Sequence, residues 1–182
     1  LSSCLNFPAT VYSVEYSLVI SYPLSPYGSA HDLLSQHGSV GLPEELVCAI
    51  VSRAFLCLDR LHSNGLLHRN LCSKHLLLTS CSDGGSDDAV TGDTVAVRLC
   101  GLGSLVHLSS TAYHSRRIDL PPIQLAWRGW RSALFPARRH PVLWYAPEVL
   151  AQDFTGYSWP SDVYSLGLVI FELFTGRPPF SP

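Results

Sequence analysis

The chain has 182 residues, of which 47% are hydrophobic, 10% aromatic and only 14% charged, with a formal net charge of −2. That is enough apolar material for about one cored domain, and it excludes a disordered chain. The low charge and a mean hydropathy of +0.19 imply apolar surface meant for segments outside this stretch. No methionine occurs, even at position 1, so the chain is expected to be a piece of a longer one, and residues 1–8 carry neither the basic region nor the apolar block of a signal peptide. The longest apolar run, 163–174, includes Glu172 and is too short to span a bilayer.

In chain order, the run from Tyr16 to Tyr22 reads as one strand, stopped by Pro23 and Pro26. Gly28 to His37 reads as a short helix with Asp32 in its first part. A long helix follows. Pro43, Glu44 and Glu45 suit its first turn, where the helix dipole favours acids. Leu46, Ile50, Ala54, Leu58 and Leu61 recur at helical spacing. Val47, Val51 and Phe55 widen that stripe, so burial over most of the circumference is expected. Asn64 and Gly65 close the helix as a left-handed cap.

Leu76–Thr79 and Thr94–Leu99 read as two short strands. Between them, Ser80–Asp93 is rich in Ser, Gly and Asp and reads as a solvated acidic insertion, with no metal role for Asp83, Asp87 and Asp88. Residues 101–147 lack a steady period and hold six arginines against one acid, Asp119, a charge of +5 in a chain of −2. The last element is a helix from Ser161 to Thr175, with Ser161 as its N-cap and Gly176 as its stop. Its body is apolar on all sides, which places it in the middle of a domain.

Six cysteines (Cys4, Cys48, Cys57, Cys72, Cys81, Cys100) form no C-x-x-C pair and read as reduced thiols. His68, Cys72 and His75 lie within one short loop but lack a second ligand pair, so no metal site is expected.

Five landmarks stand in one order: 68-HRN-70, 101-GLG-103, 146-APE-148, 161-SDVYSLG-167 and 176-GRPPF-180. This order resembles the C-terminal lobe of a protein kinase, whose pattern is H-R-D-L-K-x-x-N, D-F-G, A-P-E and a buried D-x-W/Y-S-x-G helix. The segments 27-YGSAHDLL-34, 101-GLGSL-105 and 142-VLWYAPEVLAQDFTGYSWPSDVYSLG-167 further resemble the STRAD-type adaptors, pseudokinases related to the sterile-20 kinases. In that family the D-F-G aspartate is likewise a glycine and the H-R-D aspartate is likewise lost. The resemblance runs from about Asn6 to Phe180 and departs in the acidic insertion, a longer activation segment and a shortened region before Tyr16.

The resemblance implies an α+β, protein-kinase-like fold: residues 1–26 as the end of the N-lobe and the hinge, and 27–182 as the C-lobe through the αF helix, with the C-terminal helices missing. It also implies His68, Arg69, Glu148 and Asp162 as scaffold residues. Asp162 would bond the backbone of the His68–Arg69 turn, and the usual arginine partner of Glu148 would lie beyond Pro182.

Phosphoryl transfer is mostly positioning and charge neutralisation. Asn70 stands where the proton-accepting aspartate would be, and a carboxamide has no useful basicity near neutral pH. Cys72 replaces the loop lysine and supplies no positive charge. His75 and Gly101 replace the two magnesium ligands, although magnesium wants oxygen donors. Base, lysine and both metal ligands are absent together. No G-x-G-x-x-G precedes Tyr16, and Lys74 is the only lysine.

Shape without phosphotransfer is therefore expected: an adaptor that binds and allosterically activates an active serine/threonine kinase, with a helical-repeat scaffold protein as a second partner. ATP without magnesium is the cofactor the resemblance allows, with Ile20, Ser21 and Tyr22 like the hinge and Leu77 like the floor beneath adenine. The activation segment is the expected docking surface, through Arg116, Arg117, Trp127, Trp130, Arg138 and Arg139. The alternatives are an active or atypical serine/threonine kinase, and nucleic-acid binding by the arginine-rich segment. The first lacks the reactive residues, and the second conflicts with a segment where kinases dock proteins. No nucleic-acid or membrane partner is expected, and the location expected is the cytoplasm, with the nucleus as a second site.

Overall fold

The computed structural model describes residues 3–80, 95–107, 141–151 and 158–181. The acidic insertion and the arginine-rich segment with Trp127 and Trp130 lie outside the described residues.

The first element is a hairpin where one strand was expected. Strand β1 (Thr10–Val14) pairs antiparallel with β2 (Ser17–Ser21), from Thr10 opposite Ser21 to Val14 opposite Ser17. The turn is made by Glu15 and Tyr16, with Glu15 at φ 52°. Two-residue hairpin turns favour Asn-Gly or Asp-Gly because the backbone must turn left-handed. Glu-Tyr carries no such signal, which is why the sequence did not disclose β1.

Helix α1 (Ala30–His37) starts two residues after the expected Gly28. Ser29 caps it: the Ser29 amide donates to Asp32 Oδ2 at 2.8 Å, and the Asp32 amide donates to Ser29 Oγ at 3.2 Å. The Ser29 amide and the Ser29 hydroxyl, which donates to Oδ2 at 2.7 Å, hold the Asp32 carboxyl below its ordinary range.

Helix α2 (Glu44–Ser63) buries Leu46, Val47, Ile50, Ala54, Cys57, Leu58 and Leu61. Asn64 and Gly65 (φ 70°) close it. The short strand β3 (Leu66–Leu67) leads into the 68–75 loop, and β4 (Leu76–Ser80) pairs antiparallel with β5 (Val95–Leu99). Strand β6 (Val106–His107) pairs with β3. Helix α3 (Pro147–Leu150) and helix α4 (Trp159–Thr175) complete the described fold.

The core is a sandwich of α1, α2 and α4 against β4 and β5, with Ile50, Leu61, Leu76, Leu99, Val169 and Leu173 almost wholly buried. Gly41 (φ 82°) is wedged against the last turn of α4. A Cβ there would fall 2.1 Å from the Phe174 carbonyl oxygen, and the adjacent Leu42 amide donates to Leu173 O at 2.8 Å.

Two expectations need correction in the helices. Ser161 is not the N-cap of α4; Ser158 is, with Ser161 in the third helical position. The two serines close a capping box, the Ser158 amide donating to Ser161 Oγ at 3.3 Å, and Pro160 in the first turn has its φ already set for a helix. Nor are α2 and α4 buried all round. Phe55 is 52% exposed and Val163 47%, and Leu56 and Phe171 are exposed too, whereas Leu166 and Val169 are buried. Between the two helices runs an open apolar groove of about 610 Å³, lined by Val51, Phe55, Leu56, Val163, Leu166 and Ile170. An all-round apolar pattern reports how many faces suit burial, not how many partners lie within the chain.

Each large apolar side chain left on that groove forgoes about 1.5–3 kcal/mol of burial, a sizeable share of a domain's net stability. The 182-residue chain alone is expected to bind a hydrophobic dye and to self-associate. A monomer of it that melts in one cooperative transition would contradict this.

Candidate functional site

The loop from His68 to His75 is held from below by α4. Asp162, buried near its N-terminus, accepts hydrogen bonds from the His68 amide (Oδ2, 2.9 Å) and the Arg69 amide (Oδ1, 2.8 Å). His62, from the end of α2, donates from Nε2 to Oδ2 at 2.9 Å and stacks on Trp159 with ring centroids 6.1 Å apart. One carboxylate thus ties α2, α4 and the loop together. Arg69 takes a left-handed conformation (φ 62°), a strained one for a non-glycine residue, and its amide is turned onto Asp162.

His68 is fully buried. Its Nε2–H donates to Cys100 O at 2.9 Å, so its Nδ1 is left to accept from the Asn70 amide at 3.3 Å. That pattern belongs to a neutral imidazole. Burial, helped by His75 and opposed by Asp162, holds its pKa down to about 4. His68 thus joins the loop to the residue before Gly101.

The four positions expected to be chemically degenerate fall around this loop. The Asn70 side-chain oxygen is buried with no hydrogen-bond partner among the described residues. Cys72 is buried, and burial pushes its thiol up to about 12, so it is neither a cation nor a nucleophile. His75 donates from Nδ1 to Asn70 O at 2.5 Å, and Cys72 Sγ lies 3.3 Å from the same nitrogen. Burial lowers the His75 pKa as well.

Gly101 adopts φ 76° and ψ 28°, and a Cβ built on it would lie 2.8 Å from three atoms of the His75 ring. The imidazole therefore fills the space that any side chain at 101 would enter. His75 and Gly101 are two halves of one fit, and neither side chain carries an oxygen. Among the described residues no group of His, Cys, Asp and Glu is placed to hold a metal ion.

Glu148, on α3, accepts from Ser161 Oγ at 2.6 Å, which fastens α3 to the first turn of α4. Sequence reasoning missed a second buried carboxylate. Glu172 on α4 accepts from Trp144 Nε1 at 3.1 Å and lies 3.5 Å from His31 Nδ1 on α1, and burial raises its pKa. The available signal was an acid inside an otherwise apolar helix, four residues before its stop. Of the residues expected around ATP, Ile20 and Ser21 lie on β2 and Tyr22 just after it, with Ile20 and Tyr22 exposed. Leu77 is half-buried on β4, in a different two-stranded sheet.

Two outcomes follow from this geometry. Gly101→Ala should cost about 1–3 kcal/mol through overpacking against His75. His75→Asn should recover part of that in the double variant, because the shorter side chain withdraws the ring. Denaturation of all four proteins in the full-length context gives the coupling, and strictly additive losses would show that the two residues do not share the space.

The second outcome concerns acid. A histidine whose folded pKa lies below its unfolded value stabilises in full above the unfolded value, and that contribution is lost as the pH falls toward the folded one. For His68 the window runs from about 6.5 down to about 4. Its slope is at most about 1.4 kcal/mol per pH unit. His75 adds in the same direction, and Glu172, with a raised pKa, acts in the opposite one. The urea midpoint should fall from pH 7 to pH 5, and His68→Gln should flatten the fall. An unchanged slope would remove His68 from the account.

The family described as protein kinase domain matches residues 8–182. STE20-related kinase adapter protein beta of Homo sapiens is 32% identical over 175 residues, covering 94% of this chain and 35% of that protein. STE20-related kinase adapter protein alpha of Bos taurus is 32% identical over 155 residues, 85% of this chain and 34% of that protein, and the alpha protein of Gallus gallus is 32% identical over 186 residues, 99% and 41%. The chain spans about a third of the length of the curated relatives it matches. Together with the α+β architecture and the order of its motifs, these matches establish that the chain belongs to the protein kinase domain family, within which it is similar to the STE20-related kinase adapter proteins.

Proposed function

We propose that the protein is a catalytically inactive, kinase-shaped adaptor that binds an active serine/threonine kinase and activates it allosterically. The observation that carries this reading is the fit of His75 over Gly101 beside an intact Asp162 clamp. Groups that hold the loop's backbone are present, while the positions that would supply base, cation and metal ligands hold Asn70, Cys72, His75 and Gly101. A loop kept in shape without its reactive groups serves as a binding surface. The similarity to proteins named kinase adapters supports the same reading.

In this proposal ATP is a structural ligand taken up without magnesium, near Ile20, Ser21, Tyr22 and Leu77. The arginine-rich segment docks the partner kinase through Arg116, Arg117, Arg138, Arg139, Trp127 and Trp130, the residue types that dominate buried interfaces. A helical-repeat scaffold protein is the second partner, and the cytoplasm, with the nucleus as a second site, is where the complex would act.

The test uses the full-length protein. With radiolabelled ATP and magnesium or manganese it should transfer no phosphate to peptide or to itself. Transfer that disappears on Asn70→Ala would overturn the proposal in favour of an atypical kinase. Alanine at the four arginines, and separately at the two tryptophans, should reduce capture and activation of the partner kinase with little change in Tm. Capture and activation that survive both sets of changes would rule out this segment as the docking surface.

A further inference from the structure

Glu172 has no part in the proposed adaptor role, yet at 1% exposure it is the most deeply buried acid among the described residues. It stands in the last turn of α4, and its two oxygens face different segments. Oε2 accepts from Trp144 Nε1 at 3.1 Å, which ties residues 141–144 to α4 just ahead of α3. Oε1 lies 3.5 Å from Nδ1 of His31 on α1. The His31 side chain is 35% exposed, but its Nδ1 is shut off from solvent, so a proton there faces the carboxylate.

No other group around the carboxylate balances a charge. Cys72 in the 68–75 loop keeps its proton, because burial pushes its thiol up to about 12, and Ser73 beside it brings a neutral hydroxyl. In the same loop Lys74 is exposed and His75 turns to Asn70 O. On α1, Asp32 is taken up by Ser29. Residues 38–40 hold no titratable side chain, and Cys57, the only one on the buried face of α2, donates to Val97 O. Among the described residues, His31 alone is placed to offset an ionised Glu172.

We propose that one proton, shared between His31 Nδ1 and Glu172 Oε1, latches α1 and the Trp144 segment onto α4, and that its loss as the pH rises loosens the latch. With the proton present the pair is neutral overall. It is either an ion pair or two neutral groups joined through O–H···N, and the proton belongs to the pair rather than to one partner. Once it passes to solvent, a carboxylate stays buried beside a neutral ring. A buried charge without its partner is strongly unfavourable. Turning Glu172 out to water relieves that cost and gives up the bond to Trp144.

The sign follows from linkage: the closed latch holds the proton more tightly than the open one, so rising pH favours opening. Burial of Glu172 acts in the same direction, raising its pKa against the hydrogen bonds and charge of Ser73, His31 and Trp144. The latch stands apart from the adaptor reading, because no partner takes part in it.

The experiment labels the full-length protein with 5-fluorotryptophan and follows the Trp144 fluorine resonance, assigned by its loss in Trp144→Phe, from pH 5 to pH 9. The resonance should move in one titration. Above it, the amides of Tyr145 and Val149, which bond to Val142 O and Ala146 O, should exchange with solvent faster after correction for the intrinsic pH dependence. Glu172→Gln supplies a neutral amide that accepts from the indole and donates to Nδ1, so its Trp144 resonance should keep the low-pH position throughout. His31→Phe removes the proton's second holder and should move the transition down by about one pH unit, a tenfold loss of proton affinity. A Trp144 resonance that is flat from pH 5 to pH 9 in the unaltered protein overturns the proposal, whatever the variants do. So does the same titration in Glu172→Gln, or an unchanged midpoint in His31→Phe.

Discussion

Asp162 gathers three strangers in the sequence around one carboxylate. The amides of His68 and Arg69, nearly a hundred residues earlier, and the ring of His62 at the end of α2 all point at its two oxygens. A buried amide left without its acceptor costs about 1–3 kcal/mol, so the bond from the buried His68 amide weighs most. The left-handed backbone of Arg69 is tolerated because its amide is bonded there. With that turn fixed, His68 can reach Cys100 O, and this sets the strand end that leads into Gly101. The loop, β5 and α4 are therefore positioned as one unit.

That unit also couples positions that lie far apart in the sequence. His75 and Gly101 are 26 residues apart in sequence, but the fold sets an imidazole against a backbone that lacks a Cβ. At that contact the loop packs a half-buried ring. Cys72, two residues after Asn70, is buried with its thiol protonated, and contributes volume in place of charge. Glu148 on Ser161 and Glu172 on Trp144 show the same economy further along α4: each buried or half-buried acid fixes the segment packed on that helix.

The groove between α2 and α4 and the Cys4 sulfur beneath Arg60 belong to different parts of the molecule. The first is apolar and open, made by two helices whose core-facing sides are already satisfied by β5 and by each other. The second is polar and covered, made where an extended segment crosses α2. Burial pushes the Cys72 and Cys100 thiols up, whereas Cys4 shares its burial with the Arg60 guanidinium.

The sequence by itself determined the family, the order of its landmarks and both long helices, because hydrophobic periodicity over four or five turns and fixed motifs are properties of neighbouring residues. It also named Asn70, Cys72, His75 and Gly101 as a set, since each departs from a fixed motif position. Short elements were harder to read. The β1–β2 turn uses Glu15 and Tyr16 without a glycine, and β3 with β6 pairs two residues with two. Ser158 and Ser161 carry equivalent cap chemistry, and only the extended backbone of Ser158 ahead of a helix that begins at Trp159 assigns the cap to it. What tertiary structure alone decided were the encounters between distant segments: His62 with Asp162, Trp144 and His31 with Glu172, His75 with Gly101, and Cys4 with Arg60. Each depends on the angle and register at which two elements pack, and these are set by the whole core rather than by the residues that meet.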